Sequence, residues 1–510
     1  MSRVFASAVG RVRPFVAATL SGVLLALSFP LVGHPAFAWV ALCPLLVILH
    51  STRSLSSAFG LGLATGVVQF AGTLPWLAQV MVEFGGFPRL VGVLLNGLLV
   101  VYLALFPAAF ALIFTLLRQR FGSLALLSAG PVWLTTEFGR LWFLGGFPWE
   151  LLGYSQAGVL PVAQLASLCG VHGVTLLVVF INSAVAFALV GQGVQRIRVM
   201  AIAIGLLGTV LLFGFSRLSD NRLLREGKPL RVGLIQGNVA QEEKWSSLHR
   251  QEILTRYLNL SRQSAADGAQ LVVWPESATP FSFETHPTGE AVRELARDTG
   301  VHLLFGSTRT QSHPVPQLFN AAFMLDPDGA ISGVYHKMHL VPFGEYVPLR
   351  AFLPFATPLV ETVTDFSPGR SPQPLPIGAH LTGVAICYEI IYPALVREFV
   401  LRGSELLTTI TNDAWYGRSA APHQHFQQAT MRAIEQGRYL VRAANTGISG
   451  VVDPYGRVLV RGELFETEAI THDVRLLTGL TLYGHIGDLL AYLCLVFTLA
   501  WVLAAWRIRS

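Results

Sequence analysis

Residues 382–411 read TGVAICYEIIYPALVREFVLRGSELLTTIT, and this stretch decides the fold class of the polar part of the chain. Two runs rich in β-branched residues, 382–387 and 406–411, flank the pattern of a short amphipathic helix over 392–402. Strands that alternate with helices are typical of layered α/β folds. The stretch therefore predicts a strand, a helix and a second strand of an α/β domain.

The same alternation extends on both sides of this unit. Further strands are predicted at 230–236, 270–274, 302–307, 321–325 and 448–453, and further helices at 245–266, 288–299 and 422–438. Asp-Pro-x-Gly sequences follow strands at 326–329 and at 453–456, and such sequences favour hairpin turns. The predicted sheet is therefore mixed rather than purely parallel.

Outside this polar region the chain is strongly apolar. Hydrophobic residues make up 52% of the 510 residues and charged residues 13%, with a mean hydropathy of +0.53. Ordinary soluble domains carry about 25% charged residues, so a disordered chain and an ordinary cytosolic enzyme are both excluded. A bilayer takes about 20 apolar residues to span. Eight such stretches are predicted, at roughly 14–30, 35–50, 57–79, 90–117, 123–143, 170–191, 199–216 and 486–506.

The arginines predict how these helices are oriented. With a cytoplasmic N-terminus, short outer loops hold only Arg89 and Arg140, while the inner side holds Arg3, Arg11, Arg13, Arg53, Arg118, Arg120, Arg196, Arg198, Arg507 and Arg509. This asymmetry follows the positive-inside rule. Cleavage of the first segment as a signal peptide is disfavoured because the remaining arginines would lose their inside start.

The orientation predicts three parts of the chain. Residues 1–219 form a membrane domain with seven helices, residues 220–482 a domain on the outer face, and residues 483–510 an eighth helix with a cytoplasmic tail. In a bacterium the outer face is the periplasmic face of the inner membrane.

Charge and cysteine content exclude several other classes of protein. Residues 220–482 hold 23 basic and 26 acidic side chains, so a basic face for nucleic acid is not expected. The four cysteines show no CxxC spacing, and neither a disulfide framework nor a zinc site is indicated. We find no metal or nucleotide motif and expect no cofactor.

Three reactive residue types follow predicted strands. Glu276 follows 270–274, Lys337 follows a run at 332–335, and Cys387 ends the strand at 382–387. Thiol chemistry needs a base near the sulfur, and acyl transfer needs a cation where an oxyanion develops. A Glu or Lys at the end of a strand commonly faces solvent, and a lone Cys is commonly a small buried core residue. The spacing of these three residues therefore does not by itself establish an active site. Lys337 is nevertheless one of only three lysines in the chain, which has 33 arginines. This scarcity favours the interpretation that position 337 requires the compact ammonium group of lysine.

Longer motifs around these residues resemble the nitrilase (carbon–nitrogen hydrolase) superfamily. They are Trp274-Pro275-Glu276, Lys337 before Leu340-Val341-Pro342-Phe343-Gly344-Glu345, Cys387-Tyr388-Glu389, Asn412-Asp413-Ala414-Trp415 and Arg442-Ala443-Ala444-Asn445-Thr446-Gly447. The resemblance implies an α-β-β-α sandwich with Glu276, Lys337 and Cys387 as the catalytic residues.

Further motifs resemble the membrane-embedded branch of that superfamily, the apolipoprotein N-acyltransferases of Gram-negative bacteria. They are Gly146-Phe147-Pro148-Trp149, Gln236-Gly237-Asn238 with Trp245, and Phe343-Gly344-Glu345-Tyr346-Val347-Pro348. The resemblance covers nearly the whole chain. It implies a phospholipid acyl donor, a diacylated apolipoprotein acceptor, a membrane location and a thioester intermediate on Cys387.

The same resemblance implies the role of each site residue. Glu276 acts as general base, and Lys337 stabilises the oxyanion. The supporting residues are Glu345, which orients Lys337, Glu389, which holds local geometry, and Tyr388 and Trp245, which shape the acyl pocket. The backbone N–H of Tyr388 is a further oxyanion donor. The apolar segment 348–363 is expected to be either a packed loop or a lid that admits lipid.

Two other functions fit parts of the sequence. A membrane-tethered amidase would use the same catalytic residues, although one anchor helix would then suffice. A transporter with an external sensing domain would need ionisable residues within its spans, and only Glu137 and Arg140 are candidates among Asp, Glu, Lys and Arg. A purely structural role would need no Cys-Glu-Lys set.

Overall fold

The apolar and polar parts of the sequence fold into two units. The computed structural model describes residues 2–244, 246, 248–311, 316–342, 344–346 and 365–507, with side chains from residue 13 onward. The first unit comprises residues 1–79, 88–220 and 486–510, and the second comprises residues 80–87 and 221–485.

Within its described residues, the first unit contains helices and connecting turns but no strand. Its α-helices are α1 Ser2–Ala26, α2 Cys43–Ser51, α3 Leu55–Thr73, α4 Trp76–Glu83, which continues into the second unit, α5 Arg89–Phe121, α6 Ala129–Gly139, α7 Leu160–Ala163, α8 Ala166–Val190, α9 Val194–Asp220 and α15 Leu489–Arg507. Short 3₁₀ helices lie at Pro35–Trp39, Gly122–Ser128, Phe143–Gly145 and Leu152–Gln156.

The predicted count of about eight spans is not confirmed. Within the described residues, five helical stretches are long and apolar enough to cross a membrane: Leu55–Thr73, Arg89–Gly139, Ala166–Val190, Val194–Leu224 and Leu489–Arg507. The apolar helices Arg13–Ala26 and Pro35–Ser51 are shorter. The stretch predicted at 123–143 contains a 3₁₀ helix and the eleven-residue α6, because Gly122 at φ 61° ends α5. Hydropathy measures apolar content and not the continuity of a helix.

Small residues bring helices of this unit close together. A Cβ on Gly66 would lie 2.6 Å from the Cα of Ala104, so α3 and α5 pack backbone to backbone. Asn182 of α8 accepts a hydrogen bond from the Leu42 N–H at 2.8 Å and donates one to the Ala38 carbonyl at 2.8 Å. Elsewhere apolar side chains remain exposed, among them Leu212 and Leu503. An apolar exterior of this kind suits lipid, and the protein is a membrane protein.

The two ionisable residues that a transporter would need are held in structural contacts. Glu137 is buried and accepts hydrogen bonds from the Leu152 N–H at 2.7 Å and the Thr175 hydroxyl at 2.9 Å. Arg140 donates to the Trp149 carbonyl, and its guanidinium lies 5.0 Å from the ring centre of Phe70. These contacts join loop segments to helices and give both charges a structural explanation.

The second unit contains two six-stranded mixed sheets. Its strands are β1 Lys228–Gln236, β2 Leu271–Val273, β3 His302–Gln311, β4 Gln317–Leu325, β5 Ile331–His336, β6 Leu375–Ile377, β7 His380–Ile386, β8 Leu406–Thr411, β9 Leu440–Ala444, β10 Gly450–Val452, β11 Val458–Arg461 and β12 Glu468–Leu476. Its helices are α10 Arg250–Ala266, α11 Gly289–Thr299, α12 Pro393–Leu401, α13 Ala421–Gln436 and α14 Leu482–Ile486.

The strand order is β12-β1-β2-β3-β4-β5 in one sheet and β11-β10-β9-β8-β7-β6 in the other. β1, β2 and β3 are parallel, as are β7, β8 and β9, and the remaining neighbours are antiparallel. Both predicted hairpins are confirmed, since β4 pairs with β5 and β10 pairs with β11 across the two Asp-Pro-x-Gly turns.

The layers are helix, sheet, sheet and helix, as predicted. Tyr257 of α10 and Val292 of α11 pack on Phe305 of the first sheet in one buried apolar cluster. On the second sheet, a Cβ at Gly383 of β7 would lie 2.5 Å from Phe399 of α12. The two sheets are joined by hydrogen bonds, including one of 2.6 Å from the Ser449 hydroxyl to Gln236.

No residue range was predicted for four strands, β6, β9, β11 and β12, although the hairpin turn at 453–456 implied a strand where β11 lies. In β12 the polar His472 falls on the same face as the buried Ile470 and Val474, which weakens its two-residue alternation in sequence although it pairs along all of β1. β9 is fully buried despite Arg442 at its centre, because that guanidinium is paired with Asp413 inside the domain.

Candidate active site

Cys387 lies at the carboxyl end of β7, in the turn that leads into a 3₁₀ helix over Cys387–Ile391. Its backbone has φ 52°, a left-handed conformation that non-glycine residues seldom adopt. Such backbone strain concentrates at functional sites. The residue is only 5% exposed.

Glu276 follows β2 after Trp274 and Pro275, as predicted. Its Oε1 accepts hydrogen bonds from Asn320 Nδ2 at 2.7 Å and from Lys337 Nζ at 3.1 Å. Its Oε2 accepts a hydrogen bond from the Asn412 N–H at 3.0 Å. These three donors hold the buried carboxylate in one orientation and favour its ionised form.

Lys337 follows β5, which runs in the same direction as β2 because two antiparallel pairings separate β5 from β3. The carboxyl ends of β2 and β5 therefore lie at the same edge of the sheet. The ammonium of Lys337 lies between two carboxylates, 3.1 Å from Glu276 Oε1 and 3.0 Å from Glu345 Oε1. Glu345 is fixed in turn by the Val341 N–H, which donates to its Oε2 at 2.8 Å.

The electrostatics favour a charged Glu–Lys pair beside a neutral thiol. Burial raises the pKa of the Cys387 thiol to about 12, and the charges of Glu276 and Asp413 act in the same direction. Burial also disfavours a charged Glu276, but Lys337 and the Asn320 hydrogen bond hold the pKa of that carboxyl below its usual value. Burial would lower the pKa of Lys337, yet Glu276 and Glu345 together raise it. The resting site thus contains a neutral thiol, an ionised carboxylate and an ammonium.

Glu389 joins the turn that carries Cys387 to the segment that carries Lys337. Its Oε2 accepts a hydrogen bond from the Ile386 N–H at 2.8 Å. Its Oε1 accepts hydrogen bonds from the Tyr335 hydroxyl at 2.7 Å and from the N–H groups of Met338 and His339 at 2.6 and 3.1 Å. The carboxyl group therefore fixes the geometry between the two catalytic candidates.

We expect Glu389→Gln to lower the melting temperature of the full-length protein by several degrees. The amide keeps one acceptor oxygen but places an NH₂ group against an N–H donor. A buried donor without a partner costs about 1–3 kcal/mol. Differential scanning fluorimetry in detergent measures the change, with substitution of the exposed Glu252 as the control. An unchanged melting temperature would contradict the bracing role.

The same variant carries a pH signature. Burial raises the pKa of Glu389 from 4.5 to about 7. At a pH between 4.5 and 7, this carboxyl group is therefore protonated to a greater extent in the folded state than in the unfolded state. The contribution of Glu389 to the free energy of unfolding is fully present below its pKa in the unfolded state. This contribution is lost as the pH rises toward 7. The glutamine variant lacks this titration. The difference in melting temperature between wild type and variant should be larger at pH 5 than at pH 8, and the opposite trend would contradict the assignment.

Tyr388 is buried next to Cys387 in the chain, and its ring lies 5.4 Å from that of Tyr392 in an edge-on contact. Burial raises its pKa well above the usual value, and a hydrogen bond with Tyr392 adds to the shift. Trp245 and the predicted lid 348–363 lie outside the described residues.

Several polar residues at the site were not predicted. Asn320 lies in the middle of β4, where a sequence offers no sign that its side chain reaches Glu276 and Glu345. Behind Cys387, the Asp413 carboxylate contacts Arg442 at 2.8 Å and His425 at 3.2 Å. His425 Nε2 lies 3.1 Å from the Cys387 carbonyl oxygen. The motifs around 412 and 442 contained two of these residues, whereas His425 carried no signal.

A two-sheet sandwich with Cys, Glu and Lys at its strand ends defines the class of carbon–nitrogen hydrolases. Residues 231–479 match the carbon-nitrogen hydrolase family. Among solved structures, the carbon–nitrogen hydrolase from Helicobacter pylori G27 is similar over 49% of this chain and 90% of that chain, at 19% sequence identity and a TM-score of 0.38.

Within the described residues, no group of three or more His, Cys, Asp or Glu side chains could hold a metal ion.

The helical unit shows to which family of this class the chain belongs. Residues 21–184 match the apolipoprotein N-acyltransferase N-terminal domain. The apolipoprotein N-acyltransferase of Geobacter metallireducens is 39% identical over 98% of this chain and 96% of that protein, and that of Vibrio vulnificus is 34% identical over 98% of each. The chain belongs to the apolipoprotein N-acyltransferase family, and it is an enzyme.

Proposed function

We propose that the protein transfers an acyl chain from a phospholipid to the α-amino group of an N-terminal diacylglyceryl-cysteine on an apolipoprotein. The donor is typically phosphatidylethanolamine, through its sn-1 chain. The observation that carries the proposal is the buried thiol of Cys387, in a domain joined to apolar helices, beside the paired Glu276 and Lys337. The relatives' names support the apolipoprotein as acceptor.

The first half-reaction forms a thioester. The Cys387 sulfur attacks the ester carbonyl carbon while Glu276 accepts the thiol proton. The carbonyl oxygen becomes an oxyanion, which Lys337 and the backbone N–H of Tyr388 stabilise. The ester C–O bond then breaks, and the leaving alkoxide takes the proton from Glu276. Lysophospholipid leaves, and the acyl chain remains on sulfur.

The second half-reaction forms an amide. The neutral α-amine of the acceptor attacks the thioester carbonyl, and Glu276 accepts a proton from the attacking nitrogen. Collapse of the tetrahedral intermediate breaks the C–S bond, and the thiolate of Cys387 recovers the proton from Glu276. The products are an N-acylated lipoprotein and free enzyme, as ping-pong covalent catalysis requires.

The resting electrostatics suit this sequence of proton transfers. A thiol whose pKa burial raises to about 12 stays protonated at neutral pH, so attack requires Glu276 to remove the proton. The lowered pKa of Glu276 keeps this carboxylate ionised at neutral pH, so it can take up the proton, although the same shift makes it a weaker base. The oxyanion donors Lys337 and the Tyr388 N–H must therefore offset the cost of the transfer. Glu345 orients Lys337 through its own contact with the ammonium, and Tyr388 and Trp245 shape the acyl pocket.

The proposal includes the arrangement of the chain in the membrane. Residues 1–219 and 483–510 are the membrane parts, and residues 220–482 the catalytic domain on the periplasmic side of the inner membrane of a Gram-negative bacterium, with both termini cytoplasmic. The arginine asymmetry supports this orientation. Exposing each CH₂ of an acyl chain to water costs about 0.8 kcal/mol, so a site that accepts lipid belongs at the bilayer surface.

The experiment uses the full-length protein in mixed micelles with phosphatidylethanolamine that carries an isotopic label in its sn-1 chain. The acceptor is a diacylglyceryl-cysteine peptide with a free N-terminus, and its N-acetylated form is the control. We expect the free peptide alone to gain one labelled acyl chain through a hydroxylamine-resistant bond. Release of labelled fatty acid without peptide acylation would contradict the proposal and favour a hydrolase.

A further inference from the structure

Lys244 is a second buried lysine at the active site. It lies in the turn after β1 and is only 2% exposed. Its Nζ donates a hydrogen bond of 3.0 Å to the backbone carbonyl oxygen of Glu276. The three lysines of the chain therefore differ sharply, since Lys228 is exposed at the start of β1 and Lys337 is paired with two carboxylates.

The charges near Cys387 explain why a second cation belongs there. Glu276 and Glu345 contribute two negative charges, and Lys337 offsets one of them. Among the described residues, the ammonium of Lys244 forms no ion pair within 4.0 Å. No single carboxylate therefore neutralises its charge. With Lys244 protonated, the four side chains sum to zero beside a neutral thiol.

Electrostatic coupling connects Lys244 to both reacting residues. Burial lowers the pKa of Lys244 to about 8, whereas the charges of Glu276 and Cys387 raise it. In the other direction, Lys244 helps to lower the pKa of Glu276. An amine whose pKa lies this close to neutral pH responds to any negative charge that develops beside it.

We propose that Lys244 is a positioning residue of the active site, which holds the backbone of Glu276 through its carbonyl and offsets the negative charge that forms at Cys387. The proposal rests on the proposed role of Cys387 as nucleophile. The hydrogen bond fixes the residue that removes the proton, and the positive charge favours a thiolate or an oxyanion. Both effects act through neighbouring groups and need no contact between Lys244 and the substrate.

Two variants remove the charge of Lys244 and differ in the group that replaces it. Lys244→Met has no donor for the Glu276 carbonyl, whereas Lys244→Gln keeps an N–H donor on a shorter, neutral side chain. Lys228→Met is the matched control because that lysine is exposed. The readout is the rate of Cys387 alkylation by iodoacetamide from pH 6 to 10, measured on the full-length protein by peptide mass spectrometry. This assay needs neither lipid nor acceptor.

Other charges that face Cys387 stay constant across these variants, namely Glu276, Lys337 and Asp413. We expect both Lys244 variants to lower the alkylation rate about tenfold at pH 6–7, where Lys244 is protonated and its charge favours the thiolate. The difference from wild type should shrink toward pH 10, because an amine with a pKa of about 8 is neutral there. Lys228→Met should reproduce the wild-type profile. If Lys244→Met does not fold, Lys244→Gln alone carries the test.

Coincident profiles for Lys244→Gln and wild type, with Cys387 alkylated in both, would overturn the proposal. Failure of the proposed function would appear in a different assay. In that case the wild-type protein would form no acyl adduct with phospholipid, whatever the pH dependence of Cys387 alkylation. A rate of acyl-adduct formation that falls in parallel with alkylation in the Lys244 variants would support the positioning role.

Discussion

Replacement of Cys387 with alanine is expected to lower the rate of acyl transfer at least about 10⁴-fold, since loss of a covalent nucleophile removes the whole two-step route. The side chain is buried, so its truncation leaves only a small cavity, and the turn that Glu389 braces remains in place. The measurement is the initial rate of N-acylation of the diacylated peptide, followed by mass spectrometry.

The chain supplies matched controls for this variant. Cys43, Cys169 and Cys494 lie in the helical unit, and Cys43 contacts Asn182 there. Alanine at any of these three positions should leave the transfer rate within about twofold of wild type, since these thiols take no part in the reaction. A Cys387→Ala protein that retained more than about 1% of wild-type activity would show that another group carries the acyl chain.

Lys337→Met is expected to have the second-largest effect, a loss of transfer of about 10²–10³-fold, which is typical for removal of one oxyanion donor. It should also destabilise the protein, because Glu276 and Glu345 would remain buried without their shared ammonium. Breaking a buried ion pair in this way costs about 3–5 kcal/mol. Turnover and melting temperature are both measured on the full-length protein.

A double variant separates the two consequences. Lys337→Met combined with Glu345→Gln removes one positive and one negative charge, so the buried repulsion is relieved and the melting temperature should partly recover. Activity should stay low, because no ammonium is left to stabilise the oxyanion. Recovery of activity in the double variant would mean that Lys337 serves only to hold the structure together.

The sequence was most informative where chemistry follows a strand. Cys387, Glu276 and Lys337 each follow a β-branched run, and the parallel direction of β2 and β5 brings two of these ends to one edge of the sheet. Local pattern therefore located the side chains, while the motif resemblance indicated that they act together. Glu345 and Glu389 were also expected near the site, and both contact it directly.

Local pattern failed where contacts are distant in sequence. Lys244 and Asn320 reach Glu276 from other strands and turns, separated from it by 32 and 44 residues, so neither has a local signature. Arg442 obscured the buried strand β9, since an arginine predicts exposure unless its partner Asp413 is known. In the helical unit, the apolar content of 123–143 predicted a span, yet Gly122 interrupts the helix at its start.

The central claim is that Cys387 carries the acyl chain between donor and acceptor. Its most direct test is the intact mass of the full-length protein, quenched in acid shortly after mixing with phosphatidylethanolamine alone. We predict a gain of one acyl chain that hydroxylamine removes, that Cys387→Ala lacks, and that disappears when the diacylated peptide is added. Peptide acylation at the wild-type rate with no adduct on Cys387, or an equal adduct on Cys387→Ala, would contradict the account.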